Sequence, residues 1–278
     1  MERTKSSVSR RRGTAGFRRA AAVGLLILTA AGCASVQQVN EDTSVVSRAR
    51  AKRDLGVDYL SSRRTAMAIR ELRASLEADP SDPETHLWLG EAYRRKGEPE
   101  QALEAFEAAA KMAARSKNIQ AEQDARLNLS ALLSQMGRHE EALEHCEAMS
   151  VDPTFPSPWR PLTNCGWALF NLGRYDEART HLNRALEYFP RYGPALLNLG
   201  ILETKLGHTL AAITALEKAI ASGRLSGSGR SEANFRLGEL FVSLGERDKA
   251  IANFRAAVET GPTLEWGSQS QAYLDLLH

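Results

Sequence analysis

The chain has 278 residues, with 36 Lys and Arg, 34 Asp and Glu and three cysteines. It is long enough to bury a large core and close to neutral, which argues against a wholly disordered or strongly polyanion-seeking protein. Residues 1–32 carry seven basic side chains against the single acid Glu2, so of the formal net charge of +2 the remainder of the chain holds about −4 and gives no electrostatic reason to expect nucleic-acid binding.

The first element is an address. Basic residues from Arg10 to Arg19 precede an apolar stretch, Ala20 to Ala31. That stretch is too short for a membrane-spanning helix, which needs about 20 residues, but long enough for the core of a signal peptide. It ends Leu28-Thr29-Ala30-Ala31-Gly32-Cys33, which resembles the lipobox of bacterial lipoproteins. The resemblance implies a lipoprotein signal peptide over 1–32 and acyl chains on Cys33 as the first mature residue. Several chains hold a protein on a membrane stably, whereas one does so only marginally. The other reading is an ordinary signal peptide with a cysteine nearby. Ala34 follows the cysteine where Asp marks inner-membrane lipoproteins, which implies the periplasmic face of the outer membrane. The arginine pairs at 10–12 are followed by Gly13 and Thr14 rather than apolar residues, which favours general secretory export over the twin-arginine route. Residues 33–48 read as the lipidated cysteine and a flexible polar tether.

The body repeats. From Asp82 to Ser116, Leu89-Gly90, Tyr93, Gly97, Ala102, Phe106 and Ala109 follow the tetratricopeptide pattern, with His86 in place of its leading Trp. Aligned on Gly97, the chain divides into six units, 49–82, 83–116, 123–156, 159–192, 193–226 and 231–264, followed by a capping helix over 265–278 with Tyr273, Leu276 and Leu277 turned inward. The first unit has Arg63 where the turn glycine belongs. Each unit reads as two helices with a short turn, unable to bury its apolar stripe alone. Stacked, they give an all-α, curved, right-handed solenoid whose concave face is lined by the first helix of each pair. Extra residues at 117–122, 155–158 and 224–230 fall at junctions, where loops are tolerated.

No catalytic or metal-binding constellation is found. The six histidines form no i, i+4 pair, and Gly227-Ser228-Gly229 lacks both a preceding strand and the Lys of a phosphate loop. The expectation is a non-enzyme with no cofactor and no metal. Cys146, at an apolar position in the second helix of unit three, and Cys165, in the first helix of unit four, lie on helices that touch when units stack. In an oxidising compartment a disulfide between them and two buried free thiols are equal alternatives, and neither is catalytic.

Function is expected on the concave face. Its fifth helix positions are mostly Leu, Thr or Phe, which disfavours the Lys- and Asn-lined clamp that grips C-terminal carboxylates. Leu127, Trp167, Phe170, Leu197 and Ile201 are read as an apolar patch that receives an amphipathic helix or strand of a partner, the alternative being that they complete the solenoid's own packing.

With Cys33 after a lipobox and the Leu-Gly pairs at 55–56, 89–90, 199–200 and 237–238 in successive units, the chain resembles type IV pilus biogenesis lipoproteins of the PilF, PilW and Tgl type. The resemblance implies an outer-membrane pilotin: a monomeric scaffold, held by acyl chains, that binds the secretin subunit and assists its localisation and assembly into a ring. The competing expectation is a general envelope adaptor recruiting a peptidoglycan synthase or an outer-membrane assembly component.

Overall fold

The computed structural model describes residues 44–153 and 155–277. Cys33, the expected signal peptide and most of the expected tether lie outside the described residues.

The described residues form helices in antiparallel pairs: α1 (44–61) with α2 (Thr65–Ala78), α3 (Pro83–Lys96) with α4 (Pro99–Ser116), α5 (Ile119–Gln135) with α6 (His139–Ser150), α7 (Trp159–Asn171) with α8 (Tyr175–Tyr188), α9 (Gly193–Lys205) with α10 (Thr209–Ala221) and α11 (Gly227–Ser243) with α12 (Arg247–Thr260). A last helix, α13 (Glu265–Leu277), closes the stack. Every helix packs on its neighbours in sequence, and α5, α7, α9 and α11 also touch in succession, which makes the solenoid.

Local chemistry sets the helix ends. The Asp82 carboxylate accepts from the Glu84 N–H at the start of α3, Pro83 occupies the first turn, and Arg94, Arg95 and Lys96 lie in the last turn, where the helix dipole favours cations. The turn inside a pair needs a left-handed residue. Gly97, Gly137, Gly173, Gly207 and Gly245 supply it at φ of 73–82°, and in the first unit Arg63 is forced to φ 58°.

Packing repeats with the sequence. Ala68, Ala102, Ala142, Ala178, Ala212 and Ala250 are fully buried, as are Leu72, Phe106, Cys146, Leu182, Leu216 and Phe254 one turn further along. Each of the latter residues abuts the first helix of its own pair at a glycine where a glycine is present. A Cβ on Gly90 would sit 2.6 Å from the Phe106 ring, and one on Gly238 would sit 2.5 Å from Phe254. In unit three the equivalent of that glycine is Ser130, and the facing residue shrinks to Cys146. A larger residue on one side is thus matched by a smaller one on the other.

The structure differs from the sequence reading at three places. Residues 44–48, read as the end of the tether, are part of helix α1; Val45 and Val46 are half-buried and Ala49 is buried, its carbonyl accepting from Ser75 Oγ on α2 at 2.7 Å. The extra residues 119–122 and 227–230 are not loop, because they lengthen α5 and α11 to 17 residues each, against 13 in α7 and α9. An insertion of about four residues is one more helical turn, which keeps the helix face in register. In α13, Leu274 is buried and Leu276 is 84% exposed; Ser270, Leu274 and Tyr273 lie on the inward stripe, and Leu277 also packs on the core. The Tyr273 ring stacks on Phe254 at 4.7 Å.

Candidate interaction groove

Helices α5, α7 and α9 bring residues 30–40 positions apart onto one surface. On α7, Trp167 and Phe170 stand three residues apart, and their rings stack with centroids 5.2 Å apart and planes 17° from parallel. Both pack against a core that contains Leu197 and Ile201 of α9. The structure therefore brings together four of the five patch residues inferred from the sequence. Leu197 and Ile201 are themselves buried, at 7% and 5% exposure, so the accessible part of this surface is chiefly the two aromatic rings. Leu127 does not join them: it is 4% exposed and packs with Met149 and Phe155 under the loop that follows α6.

Trp167 and Ile201 border a cleft of about 280 Å³ whose other walls include Ser134, Asn164, Tyr192 and Asn198. Asn164 Nδ2 donates to Ser130 Oγ at 2.7 Å and to the Leu127 carbonyl at 3.2 Å, tying α7 to α5. Burial raises the pKa of the Tyr192 phenol, an effect that the neighbouring Arg160 guanidinium partly offsets. Arg160 in turn lies 3.9 Å from Asp124. Sequence reasoning missed Asn164, Asn198 and Tyr192. The available signal was periodic, since Asn128, Asn164 and Asn198 hold the same place in units three, four and five.

Cys146 and Cys165 are joined by a disulfide, with Cα atoms 5.6 Å apart. The bond pins α6 to α7 one residue from Asn164 and two from Trp167 and so fixes the wall that carries the cleft.

One charged cluster lies beside this core. Glu203 is 7% exposed at a place where other units carry Tyr, Leu or Phe. Arg179 Nε donates to it at 2.8 Å, and His208 Nδ1 lies 2.6 Å from its other oxygen. Burial alone would raise the carboxyl pKa, but the hydrogen bonds from Arg179 and His208 outweigh it and hold the group below the ordinary carboxylate value.

Among the described residues no group of three or more His, Cys, Asp and Glu is placed to hold a metal ion, and no helix is long and apolar enough to cross a membrane.

The sequence profile of the tetratricopeptide repeat family matches residues 53–119, 97–150 and 197–265, and a second profile of the same repeat matches 159–192. The type IV pilus assembly protein PilF of Pseudomonas aeruginosa is 28% identical over 171 residues, which are 60% of this chain and 66%, just under two thirds, of that protein. A crystal structure of PilW, described as a widely conserved type IV pilus biogenesis factor, has a similar fold, with a TM-score of 0.65 and 20% identity over 81% of this chain and 98% of that one. A Pseudomonas aeruginosa PilF structure superposes with a TM-score of 0.61 and 21% identity over 83% of this chain and 99% of that one. Since the repeat profiles account for well over half of the sequence, and the helix pairs follow the same period, the chain belongs to the tetratricopeptide repeat family.

Proposed function

We propose that this protein is a non-catalytic scaffold for type IV pilus assembly, anchored through acyl chains on Cys33 at the periplasmic face of the outer membrane. Its groove holds a segment of the secretin subunit and promotes that subunit's localisation and assembly into the ring. The observation that carries this reading is the joint similarity, in sequence to PilF and in fold over 98–99% of the PilW and PilF chains. The mechanism needs no turnover. Cys33 confines the solenoid to a surface, the groove captures secretin chains, and their raised local concentration favours ring closure over diffusion away. The rings of Trp167 and Phe170 supply the apolar contact area, and aromatic anchors of this kind carry much of the energy of an interface.

The test is a crosslinking pull-down from envelopes with the lipidated protein, read by mass spectrometry beside Cys33→Ala and Trp167→Ala. Enrichment of the secretin subunit that falls with both substitutions is the expected result. Recovery of a peptidoglycan synthase or an outer-membrane assembly component in its place would make the protein a general envelope adaptor. Unchanged membrane association of Cys33→Ala would remove the anchor.

A further inference from the structure

The two ends of the stack differ. At the far end α13 packs on α12 and α11 and closes the last pair. At the near end no described residue precedes α1, and the position of Leu55 shows the consequence. Leu89 and Leu129 hold the same place in the second and third units. Leu89 clusters with Ile69 and Leu72 of the unit before it, and Leu129 with Ala102 and Phe106 of the unit before it. They are 7% and 3% exposed, whereas Leu55 is 41% exposed.

Cations surround this leucine. Arg48, Lys52 and Tyr59 stand seven and three residues before it and four after it, so all share one stripe of α1. The Arg64 guanidinium lies over the Tyr59 ring, 4.8 Å from its centroid. Arg48 and Arg64 are exposed and Lys52 is half-buried, and none of the three has an ion pair among the described residues. Of the acids nearby, Asp54 is held by Arg53 at 3.1 Å and Glu71 by Arg70 at 2.7 Å, which leaves Asp58 as the exposed acid of this stripe. Charge is also divided along the stack. Residues 44–79 contain eight Lys and Arg against five Asp and Glu, a net +3, while residues 80–278 contain 21 against 26, a net −5.

A terminal repeat needs a polar outer face, but not one of a single sign around an exposed leucine. That combination suits the headgroup layer of an anionic leaflet, where cations meet phosphates and a leucine side chain enters the interfacial region. Chain length brings such a surface within reach. Eleven residues separate Cys33 from Ser44, and an extended chain spans at most about 3.6 Å per residue, so α1 starts within about 40 Å of the anchoring position. We propose that the Arg48, Lys52, Leu55 and Arg64 end of the first unit docks on anionic phospholipid headgroups of the membrane that holds the anchor, and that the acidic remainder of the solenoid is turned away from it. This assignment rests on the Cys33 anchor and adds an orientation to it. Each Lys or Arg near an anionic leaflet strengthens attachment roughly fivefold, so a few cations are weak alone and effective once an anchor holds them at the surface.

Cys146 and Cys165 are joined to each other, which leaves Cys33 as the single free thiol of the chain from residue 33 onward. That chain contains every described residue. It is coupled through Cys33 to a maleimide-bearing lipid in vesicles of phosphatidylcholine, with or without phosphatidylglycerol. Its amines are then acylated briefly and the products read by mass spectrometry. Lys52 reports the docking end, and Lys249, exposed on α12, reports the opposite end. We expect acylation of Lys52 to fall about threefold or more on phosphatidylglycerol vesicles and to stay unchanged on neutral ones, with Lys249 unchanged on both. The fall should vanish in about 1 M salt, where the screening length is about 3 Å. It should also vanish in Arg48→Glu with Arg64→Glu, whose folding is verified by circular dichroism. Equal labelling of Lys52 on the two vesicles, a parallel fall at Lys249, or a fall that survives salt or charge reversal would overturn the proposal. So would protection on neutral vesicles that grows with protein density, which would assign this end to a second copy of the chain. The anchor here is supplied chemically, so a Cys33 found without acyl chains in cells would defeat the anchoring reading and leave this measurement unchanged.

Discussion

Arg179 on α8 reaches across the junction between the fourth and fifth units to Glu203 on α9, with Nε 2.8 Å from Oε1. A buried carboxylate thus stands where the repeat elsewhere places a large apolar side chain, and it survives there only because Arg179 and His208 pair with it.

Glu203→Ala should cost about 2–4 kcal/mol, because it breaks the pair and opens a cavity, whereas Glu203→Leu restores the pattern of the other units and should lie within about 1 kcal/mol of wild type, Arg179 being free to turn to solvent. The pH dependence has a definite sign. A carboxylate held below its unfolded pKa contributes stability above that value and loses it as pH falls through the folded pKa. Urea denaturation at pH 7 and at successively lower pH should therefore show wild type losing stability below the ordinary carboxylate range, with the loss reduced in Glu203→Leu. Identical pH profiles would remove the pair from the stability of this junction.

The disulfide between Cys146 and Cys165 closes a loop with a sequence separation of 19. In the chain-entropy account a loop of this size is worth about 3 kcal/mol. Reduction should lower the urea midpoint accordingly, and the Cys146→Ala, Cys165→Ala double variant should be insensitive to reductant. A wild-type midpoint that does not move on reduction would mean that the bond adds nothing to the junction of units three and four.

Arg63 holds a left-handed conformation at φ 58° that glycine adopts in each later unit. Arg63→Gly relieves a backbone cost of about 1–2 kcal/mol and gives part of it back as unfolded-state entropy, for a net gain of about 0.5–1 kcal/mol. Gly173→Ala should move thermal stability in the opposite direction. The two melting temperatures decide it, and a fall with Arg63→Gly would show that Arg63 makes a contact worth more than its strain.

At Gly90, helix propensity and packing pull in opposite directions. Alanine is the better helix former by about 0.5–1 kcal/mol, but its Cβ would lie 2.6 Å from the Phe106 ring. Overpacking of a dense core costs about 1–3 kcal/mol, so Gly90→Ala should destabilise. Stabilisation by Gly90→Ala alone would show that α3 and α4 can separate freely.

The repeat was legible in the sequence because it is written locally: the turn glycine, the buried alanine and the large residue that faces a glycine recur at a period set by helix geometry within one pair. A departure could be read too, with Arg63 at the turn of the first unit, whereas Glu203 came to notice only once its burial was seen. What only the tertiary structure decided depends on how pairs lean on one another. Stacking sent Leu127 under the loop after α6, sealed Leu197 and Ile201 into the core and left Trp167 beside the cleft. It also brought Cys146 to Cys165, gave Glu203 its arginine, and left the Ser134 hydroxyl without a partner. Periodicity says which side of a helix a residue occupies. Which residues from separate units meet is set by the angle and offset between helix pairs, which depend on side-chain volumes summed along the whole stack.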